Sequence, residues 1–223
     1  MTLDELQHIL LTGSWEEKEE ALTNPRAGLP DREVFALLFE HLKHTNSQIR
    51  FFALFQLIRK FHESLTTIDE TLVGDIYTLI FDENIPVSDR AIWALSITGD
   101  KGLDVLLESY PSATVNDKIK ITYAVGKGYF SYRSKDRMNL MLAGLTSNDP
   151  QLRFTAMCTM MSNTPVGRSW NNPWNSTEDK SIDFEEVYKI VLPVARDFSQ
   201  IENNTYREFA TRYINWIEGR GRE

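Results

Sequence analysis

The stretch Asn46-Ser47-Gln48-Ile49-Arg50-Phe51-Phe52-Ala53 decides the fold, because the chain repeats it. An apolar or aromatic residue, then Arg, then Ala three residues on, recurs at Leu152-Arg153-Phe154-Thr155-Ala156 and at Tyr206-Arg207-Glu208-Phe209-Ala210. Each copy follows an Asn/Asp-rich turn: Thr45-Asn46-Ser47, Asn148-Asp149-Pro150 and Asn203-Asn204-Thr205. Each opens an amphipathic segment lying close behind another. Self-similarity at a spacing of tens of residues marks a stacked repeat protein. Such a stack buries its core between neighbours and leaves a long surface suited to gripping a partner.

Working outward, helix starts are well marked. Thr2 with Glu5, Ser14 with Glu17, Thr67 with Glu70 and Thr205 with Glu208 fit the capping box. Gly99 and Gly219 read as helix stops. No alternating strand pattern is present, so the expected class is all-α. The spacing predicts pairs at 31–44 with 47–63, 68–82 with 87–98, 101–110 with 115–127, 136–146 with 149–162, and 184–199 with 203–218. A shorter pair, 3–11 and 14–23, caps the start. In domain terms this is one solenoid over 1–223: a cap at 1–30, central repeats at 31–162, a loop at 163–181 and a last repeat at 182–218. Residues 126–136 and 163–181 interrupt the pattern, and long interruptions of a compact array tend to carry function.

A chain of 223 residues, 42% hydrophobic and 25% charged, is an ordinary folded protein. No apolar run approaches the ~20 residues of a membrane span, and the start, Met1-Thr2-Leu3-Asp4-Glu5-Leu6, lacks a secretion signal. The one cysteine, Cys158, fits a reducing compartment. The expectation is a cytoplasmic monomer without membrane contact. Net charge is −8, unevenly spread: residues 1–110 hold 19 acids and 9 bases, 111–170 hold 3 and 8, and 171–223 hold 10 and 7. That balance argues against duplex DNA and for a basic protein partner.

The repeated segments resemble HEAT repeats. In that family the second helix of each pair starts after an Asp-containing turn with a Val-Arg or Val-Lys step, followed by Ala and Leu positions. The match is at Ile49-Arg50, Leu152-Arg153 and, loosely, Tyr206-Arg207. Weaker copies are Ser88-Asp89-Arg90 with Ala94 and Asp117-Lys118-Ile119-Lys120 with Ala124. The resemblance covers residues 31–218 and implies a right-handed α-solenoid of stacked HEAT-like pairs, second helices lining the concave side. The repeated Arg is expected to bond across its turn and stack one repeat on the next. A few small HEAT-like proteins are DNA glycosylases that use an Asp with Trp and Tyr side chains. Asp89 and Trp93, four apart on one helix, would be the catalytic residues of that alternative.

Other chemistry is thin. His41 and His44 sit three apart beside Glu40, without the His-Glu-x-x-His order of metalloproteases or a third ligand, and read as a solvated helix face. Cys158, beside Met157, Met160 and Met161, reads as core filling. There is no nucleotide loop, nucleophile elbow or dinucleotide turn, and Gly126-x-Gly128 is too short for one. No metal, no cofactor and no catalytic activity are expected. The two interruptions mix bases with aromatics, as interface hot spots do. Lys127, Tyr129, Tyr132, Arg133, Arg168, Trp170 and Trp174 are therefore the candidate partner-binding residues. The two indoles read either as anchors for a partner or as plugs on the solenoid. The leading expectation is a non-enzymatic scaffold or inhibitor that clasps a basic protein, in one concrete form an immunity- or antitoxin-type protein. The alternative is a glycosylase or nucleic-acid binder using the basic middle segment.

Overall fold

The computed structural model describes residues 1–23, 28–127, 130, 132–164 and 182–219. Among them are thirteen α-helices and no strand. They are α1 (Leu3–Thr12), α2 (Trp15–Thr23), α3 (Asp31–His41), α4 (Ser47–Lys60), α5 (His62–Leu65), α6 (Glu70–Thr78), α7 (Ile85–Ile97), α8 (Asp100–Ser109), α9 (Val115–Gly126), α10 (Ser134–Leu145), α11 (Pro150–Ser162), α12 (Phe184–Ser199) and α13 (Asn204–Ile217). Every predicted helix is present, and five of the six predicted pairs pack helix on helix; in the sixth, α9 meets the 3₁₀ turn that follows α8. α6 and α8 each tighten into a 3₁₀ turn, Leu79–Phe81 and Tyr110–Ser112, before the chain reverses.

The chain divides into two compact units, residues 1–102 and 103–223. In the first, α3 packs on α4, α4 on α7, and α6 on α7. Leu38, Leu54, Leu57, Ile76, Ile80, Val87 and Leu95 have no accessible surface. In the second, α9 packs on α11, α10 on α11, and α12 on α13. Its core is rich in methionine: Met138, Met141, Met157, Met160 and Met161 meet Val187, Val191, Phe198 and Tyr213. Cys158 borders that core, as its sequence context suggested.

Helix starts follow local chemistry, with two corrections. Thr2 with Glu5 and Ser14 with Glu17 make both bonds of the capping box. α6 is instead capped by Asp69, which accepts from the Leu72 amide, while the Thr67 hydroxyl donates back to the Ser64 carbonyl. α13 is capped by Asn203, which accepts from the Tyr206 amide. Asp and Asn cap at least as well as Thr, so the carboxylate or amide takes the position where both compete. Gly99 and Gly219 adopt φ of 70° and 79°, left-handed conformations that end α7 and α13.

A third correction concerns the histidines. His41 is only 6% exposed, and its Nδ1 lies 2.7 Å from the Leu37 carbonyl. It falls seven residues after Val34 and four after Leu37, on the stripe that α3 turns to the core. His44 lies beyond the helix, where its Nδ1 accepts from the Asn46 amide. The pair therefore does not share a solvated face.

Candidate partner-binding face

The repeated Arg links one repeat to the next at Arg50 and Arg153, whereas Arg207 donates to Asn204 within its own first turn. In the first unit Arg50 leaves the start of α4 and grips Asp82 with two bonds of 2.7 and 2.9 Å. Its remaining nitrogen donates to the carbonyls of His44 and Thr45, each at 2.8 Å. Arg50 thus ties its own turn to the turn before α7. In the second unit Arg153 does a looser version, donating to Asp197 of α12 at 3.3 Å. These side chains are committed to holding repeats together, which leaves other residues to meet a partner.

The predicted binding residues fall into two groups. Tyr129, Arg168, Trp170 and Trp174 lie outside the described residues. Lys127, at the end of α9, reaches back to Tyr123, its Nζ 2.7 Å from the phenol oxygen. Tyr123 is 40% exposed, so its ring faces solvent. Tyr132 is half-buried with its ring edge against Phe130 at 6.1 Å. Arg133 is the one non-glycine residue with positive φ, 50°, among the described residues. Its guanidinium donates to Asp104 at 2.5 Å and Asp136 at 2.8 Å. Those two carboxylates hold its pKa above the ordinary value for Arg and pin the left-handed turn that starts α10.

Behind this turn lies a residue the sequence reading passed over. Arg137 is fully buried. It donates to the Val125 carbonyl at 3.2 and 2.9 Å, to the Phe130 carbonyl, and to Asn163 Oδ1 at 3.5 Å. Burial pushes its pKa down to about 9, which leaves it charged at neutral pH. Asn163 completes the clamp by donating to the Gly126 carbonyl at 2.7 Å. A buried cation solvated by backbone carbonyls therefore ties the end of α9 and Phe130 to the start of α10.

Asp89 and Trp93 both lie within α7, and the helix cap is Asn84. Trp93 is 37% exposed, and the Arg90 guanidinium sits 5.0 Å from the indole centre. The same Arg90 lies 5.8 Å from the Phe51 ring of α4. Phe51 is stacked with Phe55 at 6.3 Å, and Trp15 of α2 approaches Phe51, Phe52 and Phe55 at 6.2, 4.8 and 5.6 Å. Lys18 lies over Phe52 and Arg59 over Phe55. Rings and cations thus alternate across α2, α4 and α7 of the first unit.

This row borders an open groove of about 580 Å³, lined by Trp15, Lys18, Gln48, Phe51, Phe52 and Pro86 among others. α2 has no fully buried residue. It is held by Trp15 on the α4 rings and by Glu19, which accepts from Gln56 at 2.5 Å and Arg59 at 3.1 Å. The sequence pointed to the later interruptions and missed this face, because aromatic residues at helical spacing read as core. The available signal was charge counted helix by helix. α2, α4 and α7 together carry five bases and five acids, four of the acids on α2, whereas α1, α3 and α6 carry seven acids and one base.

No protein-family profile matches this chain, and no curated protein does. Among solved structures, an archaeal HEAT-like repeats protein from Thermococcus onnurineus aligns at 18% identity over 98% of this chain and 81% of its own, with a TM-score of 0.47. An engineered protein aligns at 15% identity over 99% of this chain and 98% of its own, with a TM-score of 0.44. No helix among the described residues is long and apolar enough to cross a membrane.

Proposed function

We propose that this chain is a non-enzymatic protein-binding scaffold or inhibitor whose main binding face is the ring-and-cation row on α2, α4 and α7. The observation that carries this reading is Trp15, 42% exposed and seated beside Phe51 and Phe52 at the edge of an open apolar groove. Exposed aromatics under cationic side chains have the composition of interface hot spots. A rigid helical pair also presents them at little entropic cost. In the other unit the exposed Tyr123 ring with Lys127 is a second candidate contact, and Tyr132, Tyr129, Arg133, Arg168, Trp170 and Trp174 remain candidates beside it.

One observation favours a second form of the same reading. The seven acids of α1, α3 and α6 offer a surface for a basic partner, as an immunity- or antitoxin-type inhibitor would. Affinity capture from the native cell, with and without nuclease treatment, tests the scaffold reading. A protein retained after nuclease treatment, and lost from a Trp15→Ala and Phe51→Ala variant that still folds, is the expected result. Capture of nucleic acid alone would favour the Asp89 and Trp93 alternative.

A further inference from the structure

The groove on α2, α4 and α7 is an anomaly of charge. Residues 1–102 contain 17 acids and 9 bases, yet no carboxylate lines it. Asp89, the one acid of α7, is not among its lining residues. Three helix N-termini open onto it, through Ser14 and Trp15, Ser47 and Gln48, and Asn84 and Pro86. Aligned peptide dipoles place partial positive charge at such ends. Lys18 over Phe52 and Arg90 over Phe51 and Trp93 add two full charges at its border. Neither has a carboxylate within 4.0 Å among the described residues. The groove thus has apolar walls at Trp15, Phe51, Phe52 and Pro86 and the cations Lys18 and Arg90 at its border, while Glu17 and Asp82 accept from the amides of the lining residues Ser14 and Asn84.

We propose that this groove docks a short protein segment in which carboxylate side chains flank one or two large apolar residues. The apolar side chain packs against Trp15, Phe51, Phe52 and Pro86, and the carboxylates reach Lys18 and Arg90. The groove volume falls within the ~300–1,000 Å³ of ordinary ligand clefts. A polyphosphate chain fits less well, because every phosphate beyond the groove meets an acid-rich surface. The charges of a short segment stay within about one Debye length, ~8 Å, of the local cations. The proposal rests on the protein-binding reading and not on the partner's net charge.

The test is fluorescence anisotropy with a labelled peptide about twelve residues long, built from Glu, Asp, Leu and Phe. Its controls are the same peptide with Lys for every acid, the same with Ala for every Leu and Phe, and a thymidine oligonucleotide of similar charge. The acidic apolar peptide should bind saturably, at least about 10-fold more tightly than any control. Lys18→Glu with Arg90→Glu should weaken it at least about 10-fold, and Arg32→Glu on α3 should not. Gln48→Glu, at an exposed lining position, should weaken it too and keeps the test valid if the double variant unfolds. No saturable binding, tighter binding of a control, or an equal loss with Arg32→Glu would overturn the proposal. A captured protein partner that binds the Lys18→Glu and Arg90→Glu variant as well as wild type sinks this inference and leaves the scaffold reading standing.

Discussion

Arg137 shows how much one residue can hold. Truncating it to Ala strips the Phe130 carbonyl and Asn163 of a buried donor and opens a cavity, each of which costs stability. Arg137→Ala should therefore lower unfolding free energy by about 2–5 kcal/mol, read from the urea midpoint. Arg133→Ala should also lose stability, since its fork is tied to two carboxylates, so any binding defect must be judged against its midpoint. Cys158 gives a pH signature. Burial pushes its thiol up to about 11 from an ordinary 9.0. An unfolded thiol ionises above pH 9 while the folded one keeps its proton to about pH 11, so its contribution to stability falls across that window. The stability difference between wild type and Cys158→Ala should shrink by up to about 2–3 kcal/mol from pH 8.5 to 11. A difference that stays flat would mean the thiol is not buried as described.

At the scale of elements, the Arg50–Asp82 link and the α9–α11 contact are the joints. Arg50→Ala should cost about 2–4 kcal/mol, and a double-mutant cycle with Asp82→Ala should show coupling, because both side chains are largely buried. A β-carbon on Gly126 would sit 2.4 Å from Thr159 Cβ. Gly126→Ala should therefore push α9 off α11 at about 1–3 kcal/mol, seen as a lower thermal midpoint. Here the sequence was most legible. Asn or Asp turns, capping residues and apolar periodicity are local signals, and they located the helices of all six predicted pairs. The caps at Asp69 and Asn203 were misread because two good caps compete within a few residues. His41 was misread because its neighbours were weighed by chemistry and its place on the stripe was not. The close approach at Gly126 was invisible, since it depends on Thr159, 33 residues away.

For the molecule as a whole, the lesson is that charge was summed along the chain when it is sorted by helix. Residues 1–110 read as acidic in sum, yet α4 holds bases and no acid. That sorting needs the pairing of helices in space, as does the meeting of Trp15 with rings more than thirty residues away. The repeat was legible from three short segments; the binding face was not, because its members share no local motif. The central claim is that α2, α4 and α7 of the first unit meet the partner. Amide hydrogen exchange on this chain, alone and with its captured protein partner, tests it most directly. The account predicts slowed exchange in the early turns of α4 and α7, around Gln48–Phe55 and Pro86–Trp93, and in α2 near Trp15. Slowed exchange confined to α3 and α6, or to α12 and α13, would contradict it.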